Sequence, residues 1–265
     1  MASASAPCEF ETGLVSITFR SLSAEEVIAR AADAGLRAIE WGGDVHAPHG
    51  DVARARQVAA ATRVAGLRVA AYGSYYRAGS DGMDGQARWD DVLASAAALG
   101  APVVRVWAGR QGSARSSSAE RARIAADLAR IADAAAREGI VVGLEYHGDT
   151  LTDTLESALA LLRDVDHPNL RSLWQPRDAD APDACADELA AILPWLTHVH
   201  VFHWPGGRKA PLADGADAWA RYLGVLRAHA KPCPLLLEFV PGDDPGILPR
   251  EAGTLRAWLG EDAVA

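Results

Sequence analysis

Three imidazoles fall within eight residues, THVHVFHW, where His198, His200 and His203 interrupt an otherwise apolar run. Other apolar runs also end in polar side chains: VVGLEYHG carries Glu145 and His147, RSLWQP carries Gln175 and PLLLEFV carries Glu238. A carboxylate closing a run such as Pro234-Leu-Leu-Leu is costly to bury unless a cation or a hydrogen-bond donor meets it. Carboxylate, imidazole and amide oxygen together make a donor set for a divalent cation, so Glu145, His200, Glu238 and Gln175 read as candidate ligands of one metal ion. Such an ion supports proton transfer next to a carbonyl, because it lowers the cost of enediolate charge.

Four scattered residues share a site only if the fold gathers the ends of their segments. Short runs rich in Val, Ile and Leu alternate with Ala/Arg/Glu/Leu segments whose apolar residues recur at helical spacing. The strand candidates are LVSITF (14–19), RAIEW (37–41), RVAAYG (68–73), PVVRVWAG (102–109), VVGLEYHG (141–148), RSLWQP (171–176), HVHVFHW (198–204) and PLLLEFV (234–240). A helical segment follows each one. The first, SAEEVIARAADAGL, pairs Ser23 with Glu26 as a capping box and ends at Gly35. Eight such units in 265 residues predict one closed (β/α)8 TIM barrel in a single domain, 1–265, with residues 1–12 a flexible N-terminal segment. An open doubly wound sheet is the structural alternative. It needs a glycine-rich phosphate turn after the first strand, where Phe19, Arg20 and Ser21 stand instead.

Composition narrows the function. A net charge of -9 leaves no basic surface for a nucleic-acid backbone or an anionic membrane. Cys8, Cys185 and Cys233 form neither a Cys-x-x-Cys pair nor a disulfide framework, and MASASAPCEF lacks a basic start followed by an apolar stretch. The expectation is a soluble cytoplasmic protein that acts on a small molecule, with a homo-oligomer left open.

The stretches GLVSITFRSLSAEEVIARAADAGLRAIEW, GIVVGLEYHGDTLTD, HVHV and LLLEFV resemble the sugar phosphate isomerase/epimerase superfamily, the xylose-isomerase-like TIM barrels. The resemblance covers nearly the whole chain. It implies a Glu from strand 5, an Asp from strand 6, the second His of His-x-His from strand 7 and a Glu from strand 8, together holding Mn²⁺, Mg²⁺, Co²⁺ or Zn²⁺. By position these are Glu145, Gln175, His200 and Glu238. The strand 6 residue departs from the pattern, and an amide in place of a carboxylate removes one negative charge from the site. The related epimerases move a proton with two glutamates on opposite sides of the reacting carbon, which assigns catalysis to Glu145 and Glu238.

The remaining polar and aromatic residues near predicted strand ends are candidate substrate contacts: His147, His198, His203, Trp107, Trp174, Trp204, Arg105 and, in the loop after strand 2, His49. Trp41 and His46 lie nearby. A tryptophan at a barrel rim stacks on a sugar ring or fills the core beneath it. His198 either touches substrate or orients a metal-bound His200, and Arg105 has a second reading as a salt-bridge partner of Glu145. The function expected is a metal-dependent sugar isomerase or epimerase working through an enediolate. The alternatives are a lyase eliminating from 3-keto-glycosides and a sugar-binding barrel without catalysis.

Overall fold

The computed structural model describes residues 10–261 apart from 178, 180, 230 and 231. Eight strands alternate with eight helices: β1 (Glu11–Val15), α1 (Ala24–Asp33), β2 (Ala38–Gly42), α2 (Val52–Val64), β3 (Arg68–Arg77), α3 (Trp89–Leu99), β4 (Val103–Trp107), α4 (Ser118–Arg137), β5 (Val141–Leu144), α5 (Leu155–Val165), β6 (Leu170–Trp174), α6 (Pro182–Ile192), β7 (Leu196–Val201), α7 (Ala216–Ala228), β8 (Pro234–Leu237) and α8 (Leu248–Leu259). The strands pair in parallel and in order, and β8 returns to β1 to close a (β/α)8 barrel.

Local sequence accounts for the element ends. The Ser23 hydroxyl accepts from Glu26 N while Glu26 reaches back to Ser23 N, a reciprocal cap that satisfies two donors at the start of α1. Gly35 follows at φ +70°, a conformation open to glycine without steric cost. The N-terminal expectation is corrected in part: Glu11 and Thr12 belong to β1, and Thr12 is fully buried. Residues 1–9 of the segment expected to be flexible lie outside the described residues.

Two layers of apolar packing result from strand alternation. The larger lies between the strands and the helices, and a small one inside the barrel consists of Val15, Ile17, Ala38, Ala70 and Leu236, with Tyr75 and Phe239 packed against it. Tyr75 and Phe239 both have positive φ, at 54° and 57°. For bulky residues this backbone is strained, and such strain collects at functional sites. Register shifts interrupt β2 against β3 between Ile39 and Glu40, and β3 against β4 between Gly73 and Tyr76. Irregularities of this kind turn side chains to new directions. They let β3 run to Arg77, four residues past the end expected from the sequence.

Alternation also corrects two tryptophans. Trp174 is fully buried on the outer side of β6, edge-on to Tyr222 of α7 with ring centroids 5.1 Å apart. It cannot stack on a ligand in the mouth because its neighbour Gln175 takes the inward direction. Trp41 is likewise fully buried, packed edge-on against His46 at 5.7 Å.

Candidate active site

A guanidinium sits at the centre of the site. Arg105, in the middle of β4, is 2% exposed; its Nε donates to Glu40 Oε1 at 2.8 Å and its Nη1 to Glu145 Oε2. The space it fills exists because residue 73 has no side chain: a Cβ there would stand 2.5 Å from Arg105 Nη2 and 2.9 Å from Glu40 Oε1. Glu40 in turn accepts on Oε2 from His198 Nε2 at 3.0 Å and from His200 Nε2 at 2.9 Å. Burial alone would raise the Glu40 pKa, but the charges of His200 and Arg105 and the two imidazole hydrogen bonds outweigh it and hold the carboxyl well below its usual range.

Because Glu40 fixes Nε2 of His200, the other ring nitrogen faces the opposite way. His200 Nδ1 lies 3.2 Å from Glu238 Oε2 and 3.2 Å from Gln175 Oε1. The Gln175 amide has a defined orientation, since its Nε2 donates to the Tyr146 carbonyl at 3.0 Å and to Glu145 Oε1 at 3.3 Å, leaving the oxygen toward His200. Ligand atoms of Glu145, His200 and Glu238 all lie within 4.8 Å of one another, and all three residues are buried. Two carboxylates, an imidazole nitrogen turned by a carboxylate behind it and an amide oxygen fit a divalent cation. Glu40, His198 and His200 form a second close group, but Arg105 already neutralises Glu40 there. That group orients His200 and needs no ion of its own.

Burial disfavours the His200 imidazolium, yet Glu238 and Glu40 on its two sides overcome this and push its pKa up to about 10. His198, which shares Glu40 but has no second carboxylate, is pushed the other way by burial and stays neutral.

Above the cluster, Trp107 Nε1 donates to Glu145 Oε2. Burial would raise the Glu145 pKa, but Arg105, His200 and His147 reverse this and keep the carboxylate ionised. The Trp107 ring carries His147 at 5.2 Å between centroids and the Arg77 guanidinium 4.0 Å from its centroid. His147 Nδ1 lies 2.5 Å from the Gly148 carbonyl, which only accepts. Nδ1 therefore donates that bond, and Nε2 takes no part in it. A cavity of about 360 Å³ opens beside these groups, lined among others by His147, Gln175, Tyr146, Arg177, Phe202 and Trp204.

The structure thus gathers Glu145, Gln175, His200 and Glu238, with His147, Trp107 and Trp204 around them, and withdraws the other expected contacts. Arg105 is spent on Glu40 and Glu145, the salt-bridge reading of that residue. His198 is 1% exposed beneath His200, so it supports the cluster. The His203 ring packs against Gly215, so close that a Cβ there would stand 2.8 Å from it, and it does not line the cavity. His49 Nδ1 bonds the Tyr72 hydroxyl at 2.7 Å behind the loop after β2. His46 is held by Ser16 and Leu22. Sequence reasoning missed Glu40, although RAIEW holds an acid at the end of an apolar run, the same signal that revealed Glu238.

The family model of the xylose isomerase-like TIM barrel matches residues 28–259, and the chain belongs to that family. A 3-dehydroshikimate dehydratase from Bacillus anthracis is 38% identical over 103 residues, 37% of this chain. The match spans 35% of the length of that curated relative. Among solved structures, the probable 3-DHS dehydratase of petrobactin synthesis from Bacillus anthracis superposes with a TM-score of 0.78 at 22% identity, covering 93% of this chain and 98% of that one. A 3-keto-D-glucoside 4-epimerase from E. coli gives 0.70 at 20% identity over 95% and 99%. A xylose isomerase-like barrel from Mycobacterium smegmatis in complex with magnesium gives 0.68 at 17% identity over the full length of both chains. Similarity at these identities speaks for the fold.

Removing Arg105 strands two buried carboxylates, a loss of about 3 to 5 kcal/mol for a broken buried pair. Arg105→Met should lose that much unfolding free energy in urea, and Gly73→Ala, which pushes a methyl into the same contact, should move in the same direction. A change below about 1 kcal/mol in Arg105→Met would mean that the cluster does not hold the barrel together.

Proposed function

We propose that the protein is a metal-dependent lyase that dehydrates a small hydroxylated ketone. The observation that carries this reading is the contrast between two bases at one site. Glu145 is tied by Arg105, Trp107 and Gln175 and held ionised, a poor carrier of a proton that must be taken and returned. His147 lines the cavity, and among the described residues its Nε2 has no hydrogen-bond partner. The partial sequence similarity to a dehydratase supports the same choice over a two-glutamate epimerase.

Glu145, Gln175, His200 and Glu238 would hold a divalent cation, which when bound would polarise the substrate carbonyl and stabilise the negative charge that develops on its oxygen. His147 Nε2 removes the proton from the carbon next to that carbonyl. The electron pair left behind forms a carbon–carbon double bond as the hydroxyl on the β-carbon leaves. The proton just gained by His147 passes to that hydroxyl, so one imidazole takes and returns it and water departs. Trp107 holds His147 in place, and the aromatic wall of Phe202 and Trp204 shields the carbanion from solvent.

A panel of 3-dehydroshikimate, 3-keto-glucosides, ketoses and inososes with the Mn²⁺-loaded protein in D₂O separates the readings. Dehydration gives a conjugated, ultraviolet-absorbing product. His147→Gln should slow its formation by about 10² to 10⁴ while leaving Mn²⁺ bound. Deuterium exchange or epimer formation that survives His147→Gln and disappears in Glu238→Gln would instead support the two-glutamate epimerase. Sugar binding with neither exchange nor turnover would leave a binding barrel.

Metal uptake carries its own sign. His200 is protonated below about pH 10 without an ion, so each ion that binds through Nδ1 expels one proton, and affinity rises with pH. Calorimetry in buffers of different ionisation enthalpy should show about one proton released per Mn²⁺ at pH 7, with the apparent Kd falling as pH is raised. Uptake without proton release would place the ion elsewhere. Gln175→Asp restores a negative charge and should tighten Mn²⁺ binding. It also loses the amide bond to Tyr146, so the metal-free variant should unfold more readily than the parent. Unchanged Mn²⁺ affinity would remove Gln175 from the ligand set.

A further inference from the structure

Both glutamates of the cluster are held at the backbone in the same way, from two sides. The amide nitrogen of Glu145 donates to the Val106 carbonyl at 3.0 Å and that of Glu238 to the Val201 carbonyl at 3.0 Å, which ties the peptide unit before each glutamate to the preceding strand. The peptide unit after each one is held by a threonine hydroxyl. Thr152 Oγ1, in the loop after β5, donates to the Glu145 carbonyl at 2.5 Å, and Thr18 Oγ1, in the turn after β1, accepts from the amide nitrogen of Phe239 at 2.9 Å. Both threonines are buried, and neither lines the cavity.

A peptide unit is a rigid plane, so fixing the planes on both sides of a Cα fixes its two soft dihedrals and with them the direction of its Cα–Cβ bond. At Phe239 the hydroxyl does more. The φ of +57° there is costly for a bulky residue and persists only where surrounding contacts hold it. Glu238 comes immediately before, with Oε2 3.2 Å from His200 Nδ1. Relaxation of Phe239 would turn the peptide that joins the two residues and swing that carboxylate away from His200. We infer that Thr18 and Thr152 are positioning residues of the metal site, two buried hydroxyls that aim Glu238 and Glu145 at the ion shared with His200. The inference rests on the reading of that cluster as a metal centre and extends it from the ligands to the groups that set their direction.

Thr18→Val and Thr152→Val keep the shape of the side chain and remove the hydroxyl. Thr62→Val is the control, since Thr62 is equally buried and its hydroxyl bonds the Val58 carbonyl inside α2. In calorimetric titration with Mn²⁺, the first two should weaken binding by roughly ten- to a hundredfold, the scale seen when the outer partners of metal ligands are lost. Thr18→Ser and Thr152→Ser should recover most of that loss, and Thr62→Val should bind as the wild type does, whatever its effect on unfolding in urea. Nuclear magnetic resonance of the metal-free proteins supplies a second readout. The ¹⁵N signal of His200 Nδ1 reports the Glu238 carboxylate beside it, and the Trp107 indole N–H signal reports Glu145, to which it donates. Thr18→Val should move the first more than the second, and Thr152→Val the reverse. Either threonine is struck from the assignment if its valine variant binds Mn²⁺ within about twofold of the wild type or leaves its reporter unmoved. A wild type that takes up no Mn²⁺ would sink the metal reading, while the metal-free signals would still decide the role of the two threonines.

Discussion

Everything at the barrel mouth depends on one buried ion pair network, Arg105 between Glu40 and Glu145. Taking three charges out of water is expensive, and it is tolerable here because each carboxylate oxygen has a donor in place. The network divides the work of its two carboxylates. Glu40 turns inward and behind, where it aligns two histidines, and Glu145 turns toward the mouth, where it joins Gln175, His200 and Glu238. The absent side chain of Gly73 is part of the same construction, since any Cβ would collide with Arg105.

From that constraint the chemistry follows by direction. A carboxylate behind His200 holds Nε2 and leaves Nδ1 turned toward Glu238 and Gln175, and Glu238 and Glu40 together raise the pKa of the imidazole against its burial. Glu145 is fixed and ionised by the donors that hold the network together, whereas among the described residues His147 is anchored by the Gly148 carbonyl and the face of Trp107. The strained backbones of Tyr75 and Phe239 bring two aromatic rings over the interior packing just below, and the cavity lies to the side of β5, β6 and β7.

Much of this was legible in the sequence because a closed parallel barrel writes its strands as apolar runs and its site as the polar residues that end them. The barrel is read that way, and the same rule singles out Glu145, Gln175, His200 and Glu238, whose side chains the structure brings together. Glu40 obeyed the same rule in RAIEW and was overlooked because a single acid in a short strand has an ordinary reading. Trp174 was misplaced by ignoring alternation: it adjoins Gln175, and two consecutive strand residues cannot both face inward. Arg77 and Tyr75 could not be located, since the register shift after Gly73 extends β3 in a way that no residue pattern announces. His203 and His49 lay near predicted ends, but whether a loop side chain turns toward the mouth or packs behind it depends on contacts such as Gly215 and Tyr72, far away in sequence.

One imidazole, through Nδ1 of His200, is proposed to join the carboxylates around a divalent ion while His147 and His198 stay off it. Pulsed electron paramagnetic resonance of the Mn²⁺-loaded protein labelled with ¹⁵N-histidine measures this directly, because only a coordinated nitrogen couples strongly to the ion. One strongly coupled histidine nitrogen, lost in His200→Gln and kept in His147→Gln and His198→Gln, is the result predicted. Two coupled nitrogens, none, or a coupling that survives in His200→Gln would contradict it.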